Sequence, residues 1–456
     1  MQRNYKSRLL KLALCSLTAA VIMSGCGQNG AGDPEGAGNQ QRNTPVTLTV
    51  WDKGGGMGDA VRKLIDDFNS EHTDIQANLV HQGSDSYEDT VRLAFQSRQG
   101  PDLFVVNGPE KLYQAGFLLP LDDILSEETL AIYKPHGRKG STIFNDQLYA
   151  ASTSAVTIRL VYNKDLFREA GLDPEQPPAT FSELKAYAQA ISEAGNGEYF
   201  GLGLPMKWSG FMDWHIDPLV LATDLNLTKK GLFNRSEQVY ETAKYAPVIE
   251  VMREIVSNKW AYPGASTLDN DPMRSAFAEG KIGMYMGASW DIATLNEQFN
   301  TTVDWAAAHI PVEDGKEALQ HISNAGQPWS VSADTKHPQE VGVLLEYLLG
   351  EQVSQSLQKQ GLLNSLHPAA ATEESMPEGV EQFKYFIPAE LDRQFPGDPT
   401  GFLKIQGKSY QDTIIELILT DQPIIETLEA VSDTYTEAYN KAVQDGAIDE
   451  ELYRKD

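Results

Sequence analysis

Cysteine is nearly absent from this chain: there are two, at positions 15 and 26, and none follows Cys26. The rest of the chain therefore has no disulfide bond, no thiolate nucleophile and no cysteine metal site. Its stability has to come from burial of apolar surface, and the length is ample for two ordinary domains.

Positive charge is also scarce, with 37 lysines and arginines against 64 acidic residues and a net charge of −27. Four of the positive charges lie in residues 1–25, so loss of that segment would leave −31. Nucleic acid and anionic lipid repel such a chain, which excludes nucleic-acid partners. Any attachment to a membrane has to come from acyl chains, because no basic face is present.

Motifs for catalysis, metals and nucleotides are missing as well. The eight histidines form no H-E-x-x-H pair, no G-x-S-x-G elbow occurs, and the acidic run 269–271 fails the EF-hand spacing. The glycine loop 54–58 breaks the G-x-G-x-x-G register at Asp59. We expect no enzyme activity, cofactor or metal. Among so many carboxylates, a glycosidase-type pair is left open.

The first 45 residues are typical of an exported, anchored protein. Residues 1–25 combine a basic head, an apolar centre and small residues at the cut, which indicates a secretory signal peptide. The Ser-Gly-Cys ending at Cys26 resembles the bacterial lipobox, although Met23 stands where leucine is preferred. A signal cut that merely falls near a cysteine is the alternative. Residues 26–45 have no aliphatic side chain larger than alanine, which predicts a flexible tether.

Strand and helix patterns alternate after the tether. Strands are predicted at 46–51, 75–80 and 103–106, from short β-branched runs. Between them, apolar residues recur at helical spacing after the glycine loop, and a second helix is predicted at 87–97. This order is typical of an α/β fold with right-handed crossovers between parallel strands. Open sheets of this type bind ligands at the carboxyl ends of their strands.

Several sequence blocks, in the same order, resemble extracellular solute-binding proteins (family 1) of sugar-type ABC importers, which are maltose-binding-protein-like. The blocks are GPDLFVVN at 100–107, AGFLLPLD at 115–122, LVYNKDLF at 160–167, PPATFSEL at 177–184, FAEGKIGM at 277–284 with GASW at 287–290, and IPV at 310–312. The resemblance implies a two-lobed, type II periplasmic-binding-protein-like fold. Each lobe would hold a mixed, mostly parallel sheet flanked by helices, with hinge crossovers between the lobes.

The lobes implied by this resemblance are not contiguous in sequence. Lobe 1 would comprise 46–155 plus about 328–365, and lobe 2 would comprise 156–327 plus about 366–456. Small polar residues at 152–154 and a loop at 324–328 mark two crossings, and a third is expected near 363–368. Such segments can absorb the dihedral changes of a hinge.

Candidate ligand contacts follow from the chemistry of sugars, whose C–H faces stack on aromatic rings and whose hydroxyls bond to carboxylates and amides. Most of the seven tryptophans lie beside Asp, Ser or Gly in predicted loops, and Trp290 closes a block whose tryptophan stacks on sugar in many relatives. Each could instead be core, as we expect for Trp260 and Trp305. The predicted ligand-binding residues are Trp51, Asp52, Asn107, Ser154, Trp208, Asp213, Trp214, Trp290, Asp291 and Trp329.

The predicted function is that of a lipid-anchored extracellular component of an ABC importer, on the membrane of a Gram-positive bacterium. It would bind a neutral carbohydrate, an oligosaccharide in view of the many tryptophans, and deliver it as a monomer to permease subunits that have a separate cytoplasmic ATPase. The absence of clustered arginine argues against phosphosugars. A sugar sensor for a receptor kinase and a secreted carbohydrate-active enzyme are the alternatives.

Overall fold

The computed structural model describes residues 44–54, 57–83, 87–326, 328–370, 372, 375–378 and 380–455. Within that part of the chain, Thr44–Asp456 forms one compact unit. The predicted signal peptide 1–25, the predicted lipidation site Cys26 and all of the predicted tether up to residue 43 lie outside the described residues.

The strands of the fold range from two to ten residues in length. They are β1 Val46–Asp52, β2 Ile75–His81, β3 Leu103–Val105, β4 Leu118–Leu119, β5 Ile143–Phe144, β6 Gln147–Leu148, β7 Ser154–Asn163, β8 Phe200–Leu202, β9 Phe233–Asn234, β10 Val239–Tyr240, β11 Ile282–Ala288, β12 Trp305–Ala308, β13 His321–Gly326, β14 Trp329–Ser332, β15 Asn364–Ser365 and β16 Asp392–Gln394.

The helices alternate with these strands, and the longest lies near the end of the chain. They are α1 Gly58–Glu71, α2 Tyr87–Gln96, α3 Glu110–Gln114, α4 Glu127–Tyr133, α5 Lys164–Glu169, α6 Phe181–Gly195, α7 Asp217–Leu221, α8 Lys229–Leu232, α9 Ala246–Ser257, α10 Asn270–Ala278, α11 Asp291–Ala293, α12 Pro338–Leu349, α13 Glu351–Lys359, α14 Tyr410–Leu419 and α15 Ile424–Gln444.

The first sheet has the strand order β2-β1-β3-β14-β4. Strand β1 runs parallel to β2 and β3, whereas β14 returns from much later in the chain and runs antiparallel to β3 and β4. One face of α1 is buried through Val61, Ile65 and Phe68, which belong to the same apolar cluster as β1 and α12. The strands and helices predicted from residue 46 to residue 106 are confirmed, with their ends shifted by at most a few residues.

The second sheet is centred on the long strand β7. The beginning of β7 pairs with β13 and β15, and the rest pairs with β11 and β12, all four antiparallel. Strand β8 lies parallel to β11, and β16 lies parallel to β13. The expectation of a mostly parallel sheet is therefore wrong here. A local strand-helix-strand pattern predicts parallel neighbours only, and these antiparallel partners of β7 come from distant parts of the chain.

The C-terminal helices complete the core around the second sheet. Apolar side chains of α14 and α15 belong to the same buried cluster as those of α6, α9 and β7. Trp305 on β12 is fully buried, and Trp260 packs half-buried against that core, as expected for these two tryptophans.

Three chain crossings connect the two sheets, and they lie side by side. Ala151 and Trp329 exchange both backbone hydrogen bonds, at 2.9 and 2.7 Å, and Ser154 is opposite Gly326 in the register of β7 and β13. The third crossing joins them where the Leu366 amide donates to the Thr153 carbonyl at 3.0 Å. The lobe boundaries remain a prediction. Strand β15, at residues 364–365, falls at the end of the expected lobe 1 but pairs with β7 in the second sheet.

Candidate functional site

A cavity of about 290 Å³ lies at the three crossings, between residues of the first sheet and residues of the second. Its walls come from α1, the segment after β3, the start of β7, the end of β13, the start of β14, the turn after β11, and the segment that runs from α12 to β15. The lining residues are Met57, Val61, Leu64, Asn107, Thr153, Ser154, Ala155, Val156, Trp214, Ser289, Trp290, Gly326, Trp329, Leu348, Val353, Leu357, Gly361, Leu362, Leu363, Asn364 and Phe383.

Two indole rings form one wall of this cavity. Trp214 lies in the π-helical turn Met212–Ile216, and Trp290 lies two residues after the end of the fully buried strand β11. Their ring centroids are 4.3 Å apart and their planes meet at 69°, the edge-to-face arrangement that aromatic pairs favour. Both rings remain partly exposed, so they present apolar surface to the cavity.

Trp329 lines the same cavity from the first sheet. It begins β14 and is only 5% exposed, with its backbone bonded to Ala151 at the first crossing. It also belongs to the apolar core of the first sheet. A ligand between Trp329 and the pair Trp214–Trp290 would thus touch one ring on the first sheet and two rings in turns beside the second.

Polar groups lie among these rings. Asn107 follows β3 and is exposed, and Thr153, Ser154 and Ser289 lie at the crossings and the turn after β11. Asn364 donates from its amide nitrogen to the Phe386 carbonyl at 2.8 Å. Its buried Oδ1 has no hydrogen-bond partner among the described residues. A bound hydroxyl group donating to this oxygen would remove the cost of leaving it unpaired.

Five of the predicted ligand-binding residues are therefore brought together at one cavity: Asn107, Ser154, Trp214, Trp290 and Trp329. Asn364 and Phe383 line it too, although they were not predicted. Asn364 lies in the predicted third crossing, and this position was the sequence signal from which a contact with the cavity could have been predicted. Phe383 lies in a short 3-10 helix and carries no comparable sequence signal.

Trp51 and Asp52 lie outside this lining. Trp51 packs half-buried against an aromatic cluster of the first sheet, and its carbonyl accepts a hydrogen bond from Tyr87. Asp52 is buried and accepts hydrogen bonds from the Gly54 amide at 3.0 Å and from the His81 ring. In this arrangement, Asp52 fixes the backbone where β1 enters the glycine loop.

Trp208, Asp213 and Asp291 also lie outside the lining. The Trp208 ring meets His215 edge to face. Asp291 is buried, accepts a hydrogen bond from the Ala288 amide at 3.0 Å and pairs with Arg274 at 2.8 Å. Burial raises the pKa of Asp291, while Arg274 acts in the opposite direction. Through these two interactions, Asp291 stabilises the turn that contains Trp290.

A second cavity, of about 240 Å³, lies between the end of β3 and the segment around residues 398–402. Its charged lining residues are Glu88, Arg92, Glu110, Lys111, Lys230 and Asp398. Acidic and basic groups are equal in number, so this lining has no excess charge to attract an ion. Burial raises the pKa of Glu110.

Two further features concern only the described part of the chain. None of its helices has a continuous apolar stretch of the length that spanning a bilayer requires. No cluster of three His, Cys, Asp or Glu side chains occurs there that could hold a metal ion.

Solved structures share this fold over most of their length. The cyclic alpha-maltosyl-1,6-maltose binding protein of Arthrobacter globiformis superposes with a TM-score of 0.69 at 18% identity, covering 87% of this chain and 100% of that one. The GacH receptor of Streptomyces glaucescens gives 0.69 at 21% identity, covering 88% and 99%. The expected two-lobed, type II periplasmic-binding-protein fold is confirmed.

Relatives are also found by sequence. A maltotriose-binding protein of Pyrococcus abyssi is 25% identical over 244 residues, which is 52% of this chain and 48% of that protein. The sn-glycerol-3-phosphate-binding periplasmic protein UgpB of Escherichia coli is 26% identical over 361 residues, or 72% and 75%. The chain thus spans about half the length of the first of these relatives and about three quarters of the second.

The model of the bacterial extracellular solute-binding protein family matches residues 54–355, more than half of the chain. That stretch runs from just before α1 into the first half of α13, and it includes most residues that line the cavity at the crossings. This chain therefore belongs to the bacterial extracellular solute-binding proteins, which bind their substrates and are not enzymes.

Proposed function

We propose that this protein captures a neutral oligosaccharide in the cavity at the crossings and hands it to the permease of an ABC importer. The observation that carries the proposal is the set of three indoles, Trp214, Trp290 and Trp329, which face one cavity from two sheets. Indole faces bury the C–H faces of sugar rings, and the side chains of Asn107 and Ser154 are suited to hydroxyl groups.

The charge of the lining supports a neutral ligand. No lysine or arginine is among the described residues that line the cavity, so a phosphate would find no cationic side chain there. This distinguishes the proposal from the ligand in the name of the Escherichia coli relative. The maltotriose in the name of the Pyrococcus abyssi relative agrees with it.

Closure of the two lobes provides the mechanism. The second and third crossings lie beside the first at residues 151–154, so small dihedral changes in the three segments would rotate one sheet relative to the other. A ligand that touches Trp329 and the Trp214–Trp290 pair at once binds the closed arrangement better than the open one, and this difference in affinity drives closure. The permease would then recognise the closed form, and ATP would be hydrolysed by a separate cytoplasmic subunit.

Calorimetry tests the ligand class. The full-length chain in detergent is titrated with maltotriose, raffinose and sn-glycerol 3-phosphate. We expect a neutral oligosaccharide to bind with micromolar affinity, about −8 kcal/mol, and to raise the melting temperature. Binding of sn-glycerol 3-phosphate but of neither oligosaccharide would contradict the proposal. Release of a cleaved product would favour the carbohydrate-active enzyme.

The lipid anchor is part of the same proposal and rests on the sequence around Cys26. A Cys26→Ser chain should leave the membrane fraction and accumulate in the medium. Cys15→Ser is the matched control, because Cys15 lies inside the predicted signal peptide. Unchanged membrane attachment of the Cys26→Ser chain would refute the anchor. Deletion of the gene separates import from sensing, since a sensor would change signalling and leave uptake intact.

A further inference from the structure

The segment Lys229–Leu232 has an unusual backbone. Lys230, Gly231 and Leu232 follow one another with φ angles of 58°, 99° and 60°, all in the left-handed region. Residues with a side chain rarely adopt this conformation, because their Cβ atom approaches the backbone too closely. Such a turn persists only where its surroundings hold it in place.

Buried hydrogen bonds hold this turn. The Lys230 amide donates to Asp217 Oδ2 at 3.0 Å, and the Gly231 amide donates to the Tyr245 hydroxyl at 3.3 Å. The same Tyr245 hydroxyl donates to Asp217 Oδ1 at 2.6 Å. From the other side, Thr400 Oγ1 donates to the Lys230 carbonyl at 2.9 Å. Asp217 is completely buried, and both of its carboxylate oxygens accept hydrogen bonds from the Lys230 amide and the Tyr245 hydroxyl that hold the turn.

Lys229, at the start of this turn, contacts the Trp214 ring, which lines the cavity, but does not line the cavity itself. Lys229 is only 7% exposed, and its Nζ lies 5.0 Å from the centroid of the Trp214 ring and 3.2 Å from that of Phe395. Among the described residues, no carboxylate oxygen lies within 4.0 Å of this ammonium group, whereas the neighbouring Lys230 pairs with Asp398 at 3.6 Å. Two aromatic rings are thus the close partners of the Lys229 charge.

We propose that Lys229 is a positioning residue for ligand binding, whose ammonium group holds the Trp214 indole in place against Trp290. A desolvated cation over an indole contributes about 0.5–2 kcal/mol. Without this ammonium group, the Trp214 ring would keep its packing against the core of the second sheet but lose the charged contact, and its orientation against Trp290 would be less fixed. The effect on affinity rests on the proposed function, whereas the placement of the ring does not.

The charge of Lys229 changes near neutral pH. Burial lowers the pKa of Lys229 to about 8, with Asp213 and Asp217 opposing the shift. Burial raises the pKa of Asp217 to about 7. Further charged or titratable groups that act on this cluster are Lys230, Arg138, Tyr245, Asp398 and Tyr410. Above about pH 8 the cation is lost, and the hold on Trp214 should be lost with it.

Two variants and two readouts test this role. Lys229→Met keeps the length of the side chain and removes its charge, whereas Lys229→Arg keeps the charge at every accessible pH. The first readout is the indole N–H resonance of Trp214 in tryptophan-labelled protein without ligand. The second is the affinity for maltotriose, measured by calorimetry at pH 7 and pH 9.

We expect Lys229→Met to shift the Trp214 resonance and to weaken maltotriose binding about 2- to 30-fold, whereas Lys229→Arg should bind like the wild type. From pH 7 to pH 9, the wild type should lose affinity and Lys229→Arg should keep it.

If the Trp214 resonance shifts with neither the substitution Lys229→Met nor the change of pH, the proposal is overturned. If maltotriose binds no variant, wild type included, the proposed ligand fails and the resonance alone decides the role of Lys229. If Lys229→Met does not fold, the pH comparison of wild type with Lys229→Arg decides it.

Discussion

Arg159 on β7 and Asp392 on β16 form a bidentate ion pair in the interior of the second sheet. The two N–O distances are 2.8 and 2.6 Å, and the two side chains are 2% and 0% exposed. Arg159 also donates to the carbonyls of Ile158 and Tyr385. The pair thus joins the strand at the first crossing to the segment that follows the third.

Asp392→Asn should strongly destabilise the protein, because it leaves the Arg159 guanidinium buried without its counter-charge. Loss of one partner of such a pair costs about 3–5 kcal/mol of unfolding free energy. Urea denaturation monitored by circular dichroism measures this. The double variant Arg159→Met with Asp392→Leu should be more stable than Asp392→Asn, since it buries no charge.

The exposed ion pair Lys63–Asp67 provides the control. Its side chains are 73% and 44% exposed, so Asp67→Asn should change the unfolding free energy by less than about 1 kcal/mol. Equal effects of Asp392→Asn and Asp67→Asn would show that burial of the Arg159–Asp392 pair does not matter.

Trp290→Ala should weaken oligosaccharide binding at least about tenfold, because the cavity loses one of its paired rings. The melting temperature without ligand should fall little, since the ring is partly exposed. Trp260→Ala is the matched control: its indole packs against the core of the second sheet and does not line the cavity. That variant should melt earlier and bind as the wild type does. The reverse pattern would rule out the proposed cavity.

The parallel part of the first sheet, β1 to β3, could be predicted from sequence because its signals are local. Apolar residues recur within each of the short strands β1, β2 and β3, and the helix after β1 repeats apolar residues at helical spacing. The antiparallel neighbours of β7 could not be predicted in this way. Strand β13 lies far from β7 in the chain, and nothing in either strand indicates the direction of its partner.

The candidate site could be predicted in part, for a related reason. Trp290 and Ser154 stand where a strand or crossing ends, and such positions face the gap between the lobes. Asp291 follows the same strand, yet its carboxylate turns inward to Arg274. Sequence cannot distinguish a carboxylate that faces a cavity from one that meets a distant arginine.

Gly326→Ala should perturb the hinge. A Cβ at this position would overlap Ser154 Oγ across the paired strands β7 and β13, and both residues line the cavity. We expect lower stability and weaker binding, because the strands have to separate or Ser154 has to rotate. Calorimetry and thermal melting measure the two effects.

The double variant Gly326→Ala with Ser154→Ala tests the cause. Removal of the hydroxyl leaves room for the new methyl group, so the double variant should recover stability relative to Gly326→Ala alone. Ser154→Ala alone is the reference for the loss of a polar contact to ligand. Additive effects of the two substitutions would contradict a steric origin.

Two buried histidines should make the protein sensitive to mild acid. Burial lowers the pKa of His215 to about 3 and that of His321 to about 4, against about 6.5 in the unfolded chain. Below pH 6.5 these two histidines bind protons in the unfolded chain but stay neutral in the folded protein. The contribution of these two histidines to the unfolding free energy should therefore be largest above pH 6.5 and fall towards pH 4, by at most about 1.4 kcal/mol per pH unit for each histidine. Asp217, whose pKa is raised to about 7, changes the unfolding free energy in the opposite direction over the same range, so a variant of one histidine has to be compared with the wild type.

His321→Phe should reduce this dependence. The His321 ring stacks on His309 at 3.9 Å, and its Nδ1 has no partner among the described residues, so a phenyl ring can keep the stack and removes the titrating group. Urea titrations between pH 7.5 and pH 4.5 would give the slopes for both proteins. Above pH 6.5 the two curves should run parallel, because His321 is neutral in both states there. Curves that stay parallel down to pH 4.5 would mean that His321 takes up its proton equally well in the folded protein.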